Sequence, residues 1–502
     1  MNKVFDKLNP WLTKAYALNA ALILFEWDNE TEAPEAASEL TAQAIETLSN
    51  EYYGTIINND VKKLLKQLSE EKNLTDKERA ILKDMKKQYD SMEPIPPAEY
   101  QAYQGLIARA PSIWSKAKEA NDYSMFAPTL KEIIDYQKKF IKYRLKAGKS
   151  KARPYDLLLD DYEEGFTMKE LDVFFNTLKK EIVPLIQAVN AKKDKINKDY
   201  NYEDYPIEPQ KTFNRRLAEH VGFDFTRGVI KESVHPFTTN LHNKDVRITT
   251  AYREHNLESA LFSTIHESGH ALYEMHIADD LTATPAGSGT SMGMHEGQSR
   301  LFENNFGRSR AFWVPLFQDL KDTFPKQLAD VDLDTFILGI NKSSPSLIRT
   351  EADELTYSLH ILIRYEIEKM IFEKDMDVDK LPEIWNKKYE EYLGVTPEKD
   401  SEGILQDIHW ACGNFGYFPS YALGTAIAAQ IYAHLKHVMP LDDYLRAGNF
   451  QPINEYLKEH IHCFGKTKTT NEILQDMMGE DFNPQYYVDY LKEKYEELYK
   501  NL

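Results

Sequence analysis

Along most of the chain, apolar residues recur at intervals of three and four, the period of a helix with one buried face. The clearest stripe is Leu171, Phe174, Phe175, Leu178 and Ile182, opened by a capping box of Thr167 with Glu170. A second box, Thr75 with Glu78, opens another helix. The pattern predicts further helices over 3–28 (interrupted near Pro10), 38–57, 98–121, 128–147 and 350–373. The last of these carries Leu355, Leu359, Leu362 and Ile363 on one face, and Tyr487, Leu491, Tyr495 and Leu498 mark a closing helix. Pro34 and the stiff Pro94-Ile95-Pro96-Pro97 break the series. Between 229 and 252 the texture changes. Val246-Arg247-Ile248-Thr249-Thr250 is β-branched and bounded by Asn243-Lys244-Asp245, so it reads as a strand. The expected class is mainly α with a small β-sheet. The strand's edge could hydrogen-bond an extended peptide.

Composition narrows the picture. No Pro/Gly/Ser-rich linker divides the 502 residues, so one large helical domain over 1–502 is expected. A net charge of −19 argues against a nucleic-acid backbone as partner. Cys412 and Cys463 are far apart and do not form a disulfide framework; both read as small buried hydrophobes, and a reduced cytoplasm fits. The apolar run Ala20–Phe25 is too short to span a membrane. Glu26-Trp27-Asp28 follows it with no small-residue cleavage site, so neither anchor nor secretion signal is expected.

Candidate chemistry centres on His266-Glu267-Ser268-Gly269-His270. Residues four apart share a helix face, so both imidazoles can hold one Zn²⁺. Glu267, one step round, can act on a metal-activated water without binding the metal. Catalytic zinc needs a third protein ligand. Beyond the Gly/Ser/Thr-rich stretch 281–294, Glu296 stands at the start of a resumed helix and supplies that ligand. Glu303 and Asp353 are both candidates to orient the ligand imidazoles.

Five spaced motifs resemble the carboxypeptidase Taq family of metallocarboxypeptidases. They are Asp245–Thr249, His266–His270, His295-Glu296-Gly297-Gln298, Ile348–Asp353 and Gly403–Trp410. Softer matches include His235–Thr239 and Gly416-Tyr417-Phe418-Pro419. The resemblance implies a helical ellipsoid bisected by a substrate groove, zinc on its floor, peptide substrates, a homodimer and removal of single C-terminal residues. Co²⁺ or Mn²⁺ are alternatives to zinc. An enzyme that measures a chain end favours a fixed Arg for the terminal carboxylate. Arg349 and Arg247 are the candidates. The acidic turn Thr350–Asp353 could hold Arg349 in place, and Arg247 could pair with Asp245 or Asp407. Tyr417 and Tyr421 could donate to an oxyanion, and His235 and His409 could contact substrate. Two rivals remain open: an oligopeptidase sharing the same metal residues, and a binding protein with a vestigial site.

Overall fold

The computed structural model describes residues 3–148, 151–374 and 376–500. It is 68% helical with one three-stranded sheet, as the periodicity predicts. Both capping boxes form. Thr75 N–H donates to Glu78 Oε2 (2.9 Å), and Glu78 N–H to the Thr75 hydroxyl (3.2 Å), opening Asp76–Met92. The Thr167 box opens Met168–Asn190, and all five residues of its apolar stripe are buried.

Three local expectations change. The first helix, Lys3–Thr31, runs through Pro10 without a break. Proline removes one backbone bond there, while buried Phe5, Leu8 and Leu12 hold the turns on either side. The helix expected from Thr350 begins at Glu354 instead. Asp353 is its N-cap, accepting from the N–H groups of Leu355 (3.0 Å) and Thr356 (3.2 Å). Cys412 and Cys463 are free thiols, half-buried rather than buried.

Packing divides the chain into two compact units, each drawn from three stretches. One comprises Met1–Tyr89, Asn197–Ile340 and Ile431–Phe482; the other comprises Asp90–Ile196, Asn341–Gln430 and Asn483–Leu502. Because the stretches alternate, no single linker marks a boundary in the sequence.

The first unit holds the sheet, formed by β1 (Gly228–Glu232), β2 (Thr238–His242) and β3 (Asp245–Thr250). The order is β1-β3-β2, with β1 parallel and β2 antiparallel to β3. β3 is therefore the centre of the sheet. The edge expected of Val246–Thr250 is already paired on both sides. Val246 and Ile248 point from β3 into a core with Ala218, Phe223, Ala271 and Met275. Ala271 and Met275 belong to helix α1 (Leu257–Met275), which Asn256 caps by accepting from Ser259 N–H at 3.2 Å. A second core joins Leu8, Leu12, Val61, Leu65, Ile81 and Met85 to Ile277, Leu281 and Ala286, just beyond α1.

The second unit is helical, and its central helix is Glu354–Glu373. Glu368 on that helix is fully buried and accepts from Trp410 Nε1, Gly416 N–H and the Tyr155 hydroxyl, each at 2.7 Å. Burial pushes its carboxyl up to about 7 against those three donors. This one side chain fixes the aromatic turn 410–421 to the helix.

Candidate active site

Helix α1 presents His266 and His270 side by side, and helix α2 (Met292–Arg300) brings Glu296 to them. Ser291 caps α2 through Met294 N–H at 3.1 Å. The two helices come unusually close because position 269 is glycine. A Cβ there would lie 2.7 Å from the Ser299 Cα and 2.8 Å from the Gln298 carbonyl oxygen. His266 Nε2 and His270 Nε2 lie 3.8 and 3.6 Å from Glu296 Oε2. One donor atom from each of the three falls within 4.8 Å of the others. Two imidazole nitrogens and a carboxylate so converged could hold one metal ion.

Each imidazole is also held from behind. His266 Nδ1 lies 2.8 Å from Glu303 Oε2. Of the two carboxylates the sequence offers for this task, Glu303 takes it, while Asp353 caps a helix in the other unit. Glu303 stands on a π turn, Leu301–Phe306, closed by Gly307 N–H to the Phe302 carbonyl at 2.7 Å. Arg300 donates to Glu296 Oε1 (2.7 Å) and to Glu303 Oε2 (3.0 Å). On the other side, His270 Nδ1 lies 2.6 Å from His295 Nδ1, and His295 Nε2 lies 2.8 Å from Glu274 Oε1.

The charges suit a cation. Burial opposes ionisation of Glu296, but Arg300 and the adjoining His266 help to hold it well below the usual carboxylate range. Burial lowers His266 too, but Glu303 and Glu296 outweigh it and raise that imidazole above its usual range. Glu303 is held low in the same way by Arg300 and His266. Burial pushes His270 down to about 3, so it is a neutral ring with a free lone pair. Glu267 differs: burial raises it, against the pull of His266 and a hydrogen bond from Thr238. Its Oε2 accepts from the Thr238 hydroxyl at 2.5 Å.

The second unit gathers another set of sequence candidates. Arg349 is buried, and the turn 350–353 does not hold it. Asp407 does, accepting on Oδ1 from Arg349 Nε (3.0 Å) and Nη2 (2.9 Å). The other oxygen of Asp407 accepts from Arg364 Nε at 2.7 Å. Gln406 Oε1 accepts from the Arg349 backbone N–H (2.9 Å) and from Arg364 Nη2 (2.8 Å). Burial disfavours the charged form of Arg349, but the neighbouring Asp407 outweighs it and raises the guanidinium above the usual arginine range. Two guanidinium groups thus share one carboxylate. His409 Nε2 lies 3.2 Å from the Tyr421 hydroxyl, and its ring packs on Phe418 and Tyr417. Burial lowers His409 to about 4, so it is neutral near pH 7.

Arg247, in the first unit, pairs with Asp245 through two bonds of 2.8 Å. That is one of the two partners expected for it; the other, Asp407, holds Arg349 and Arg364 instead. His235 lies exposed in the turn before β2.

A profile of carboxypeptidase Taq (M32) metallopeptidases matches residues 7–495. The chain belongs to this family. Carboxypeptidase 1 of Bacillus subtilis is 43% identical over 481 residues, 95% of each chain. Thermostable carboxypeptidase 1 of Pyrococcus furiosus is 34% identical, covering 98% of this chain and 99% of its own. The crystal structure of an M32 carboxypeptidase from Deinococcus radiodurans superposes with a TM-score of 0.95 at 32% identity, over 99% of this chain and 100% of its own. The protein is therefore a metallocarboxypeptidase, a hydrolase acting on peptides.

Several side chains of this M32 metallocarboxypeptidase escaped the sequence reading. Thr238 lies in one of the softer motifs, but nothing in the motif says that its hydroxyl meets Glu267. Glu274 carries a local signal, since 266, 270 and 274 are spaced by four and share one face of α1. His295 immediately precedes Glu296. Arg300 is four residues after Glu296 and reaches back to it. Among the described residues, no helix is long and apolar enough to cross a membrane.

Proposed function

We propose that this enzyme is a zinc carboxypeptidase that releases single residues from the C-termini of peptides. The observation that carries the reading is the convergence of His266, His270 and Glu296, with Glu267 one residue along the same helix. Two imidazole nitrogens with one carboxylate suit Zn²⁺, and Co²⁺ or Mn²⁺ accept the same donors. When bound, the metal supplies Lewis acidity toward a water and the scissile carbonyl.

The chain's own residues do the rest. Thr238 occupies Oε2 of Glu267 and leaves Oε1 without a hydrogen bond to any described residue. That oxygen takes the proton of the attacking water and passes it to the leaving amine. Arg300 and Glu303 hold the ligand carboxylate and His266 in position.

Arg349 is the proposed anchor for the substrate's terminal carboxylate. Its cluster carries two positive charges against one negative, and a buried surplus of that sign favours an anion. Arg247 ranks second, since Asp245 already matches its charge. His235, His409, Tyr417 and Tyr421 complete the proposed substrate contacts. The reading includes one functional domain over 1–502, a cytoplasmic location and a homodimer. The dimer rests on the family resemblance, and light scattering at micromolar concentration tests it.

Mass spectrometry of a mixed peptide digest, with and without chelator, tests the activity. Successive one-residue losses from C-termini, abolished by chelator and restored by Zn²⁺, are expected. Internal cuts or dipeptide release would replace this reading with that of an oligopeptidase.

A further inference from the structure

Behind His270 lies an arrangement that the ligand set does not require. His270 Nδ1 is 2.6 Å from His295 Nδ1, so one of these nitrogens donates and the other accepts. His295 Nε2 is 2.8 Å from Glu274 Oε1, and a carboxylate can only accept. Glu274 is 3% exposed and its orientation is fixed. Oε1 also takes Gly289 N–H at 2.9 Å, and Oε2 takes the Asn240 amide. With His295 neutral and Glu274 ionised, these bonds leave one consistent assignment of protons. His295 carries its hydrogen on Nε2, pointing at Glu274. Its Nδ1 is then a bare lone pair and accepts from His270. His270 must carry its hydrogen on Nδ1, which leaves Nε2 bare on the side facing Glu296.

We propose that Glu274 and His295 are positioning residues that fix the tautomer and ring orientation of His270, so that its Nε2 lone pair is permanently aimed at the metal. The inference rests on the reading of His270 as a ligand. His266 is supported in one step, by Glu303 directly, whereas His270 is supported in two. The nearby glycine fits this role: a Cβ at Gly289 would lie 2.7 Å from His295 Cδ2, so the loop and the ring are packed together. The opposite tautomer of His270 would put a hydrogen where a cation must go. It would also leave two lone pairs facing each other at 2.6 Å. The relay therefore disfavours the one neutral state of His270 that cannot bind metal.

The test is metal affinity by chelator competition, with the melting temperature of the metal-free protein as a fold control. His295→Leu removes the acceptor and should weaken metal binding by about 10- to 100-fold. His295→Asn returns an oxygen acceptor close to the Nδ1 position, so it should restore much of the affinity lost in His295→Leu. Glu274→Leu removes the oxygen that His295 Nε2–H and Gly289 N–H share, and should fall between the two. Wild-type affinity in both His295→Leu and Glu274→Leu would overturn the proposal, as would equal losses in His295→Leu and His295→Asn. If His295→Leu does not fold, unchanged affinity in Glu274→Leu overturns it alone. A wild-type protein that binds no metal would instead overturn the ligand reading beneath it.

Discussion

The Thr238 hydroxyl donates to Glu267 Oε2 over 2.5 Å, tying the first residue of β2 to the acidic residue between the two histidines. One oxygen of Glu267 is thereby oriented and the other left open. Thr238→Val keeps the shape and removes the donor. It should lower kcat by about fivefold, the scale of one hydrogen bond of about 1 kcal/mol, with metal content unchanged. Steady-state kinetics beside elemental analysis reads both; an unchanged kcat would make Thr238 a spectator.

Glu267→Gln should retain metal and fold but lose about 10²- to 10⁴-fold in turnover, because an amide cannot take up a proton from water. Near wild-type turnover would remove Glu267 from the chemistry.

His270→Ala should purify without its metal, and Glu296→Ala should bind it more weakly, since three protein ligands are the usual complement of a catalytic zinc. Stoichiometric metal in His270→Ala would refute the ligand assignment.

Arg349→Ala should abolish the preference for free-acid over C-terminally amidated peptide, a loss of about 2–5 kcal/mol in transition-state binding. Metal content should not change. A variant that discriminates as well as wild type would confine Arg349 to its ion pair with Asp407, and Arg247→Ala would then be measured in the same assay.

What could be read in advance was what local spacing encodes. The helices, both capping boxes and the convergence of His266 and His270 depend on contacts three or four residues apart. What escaped depends on partners far away in the chain. Asp407 lies 58 residues from the arginine it holds, and an acidic run beside Arg349 made a nearer but false candidate. β3 looked like an available edge because its pairing with β1 and β2 is invisible in its own six letters. Pro10 looked like a break because the rule for an isolated helix ignores the packing of Leu8 and Leu12.

The π turn 301–306 makes this centre depend on residue count as well as residue type. Every substitution considered above changes a group and leaves its neighbours in place. A deletion would do the reverse. A π turn spends one residue more than an α turn on the same closure, so removing Asn304 would let Gly307 N–H meet the Phe302 carbonyl as an ordinary α bond and re-aim the side chains between them. Glu303 is one of those side chains and would turn away from His266. Every charged side chain of the centre would survive, yet metal affinity should fall, and chelator competition would register it. Length is thus itself a specification here, one that a substitution scan would never detect.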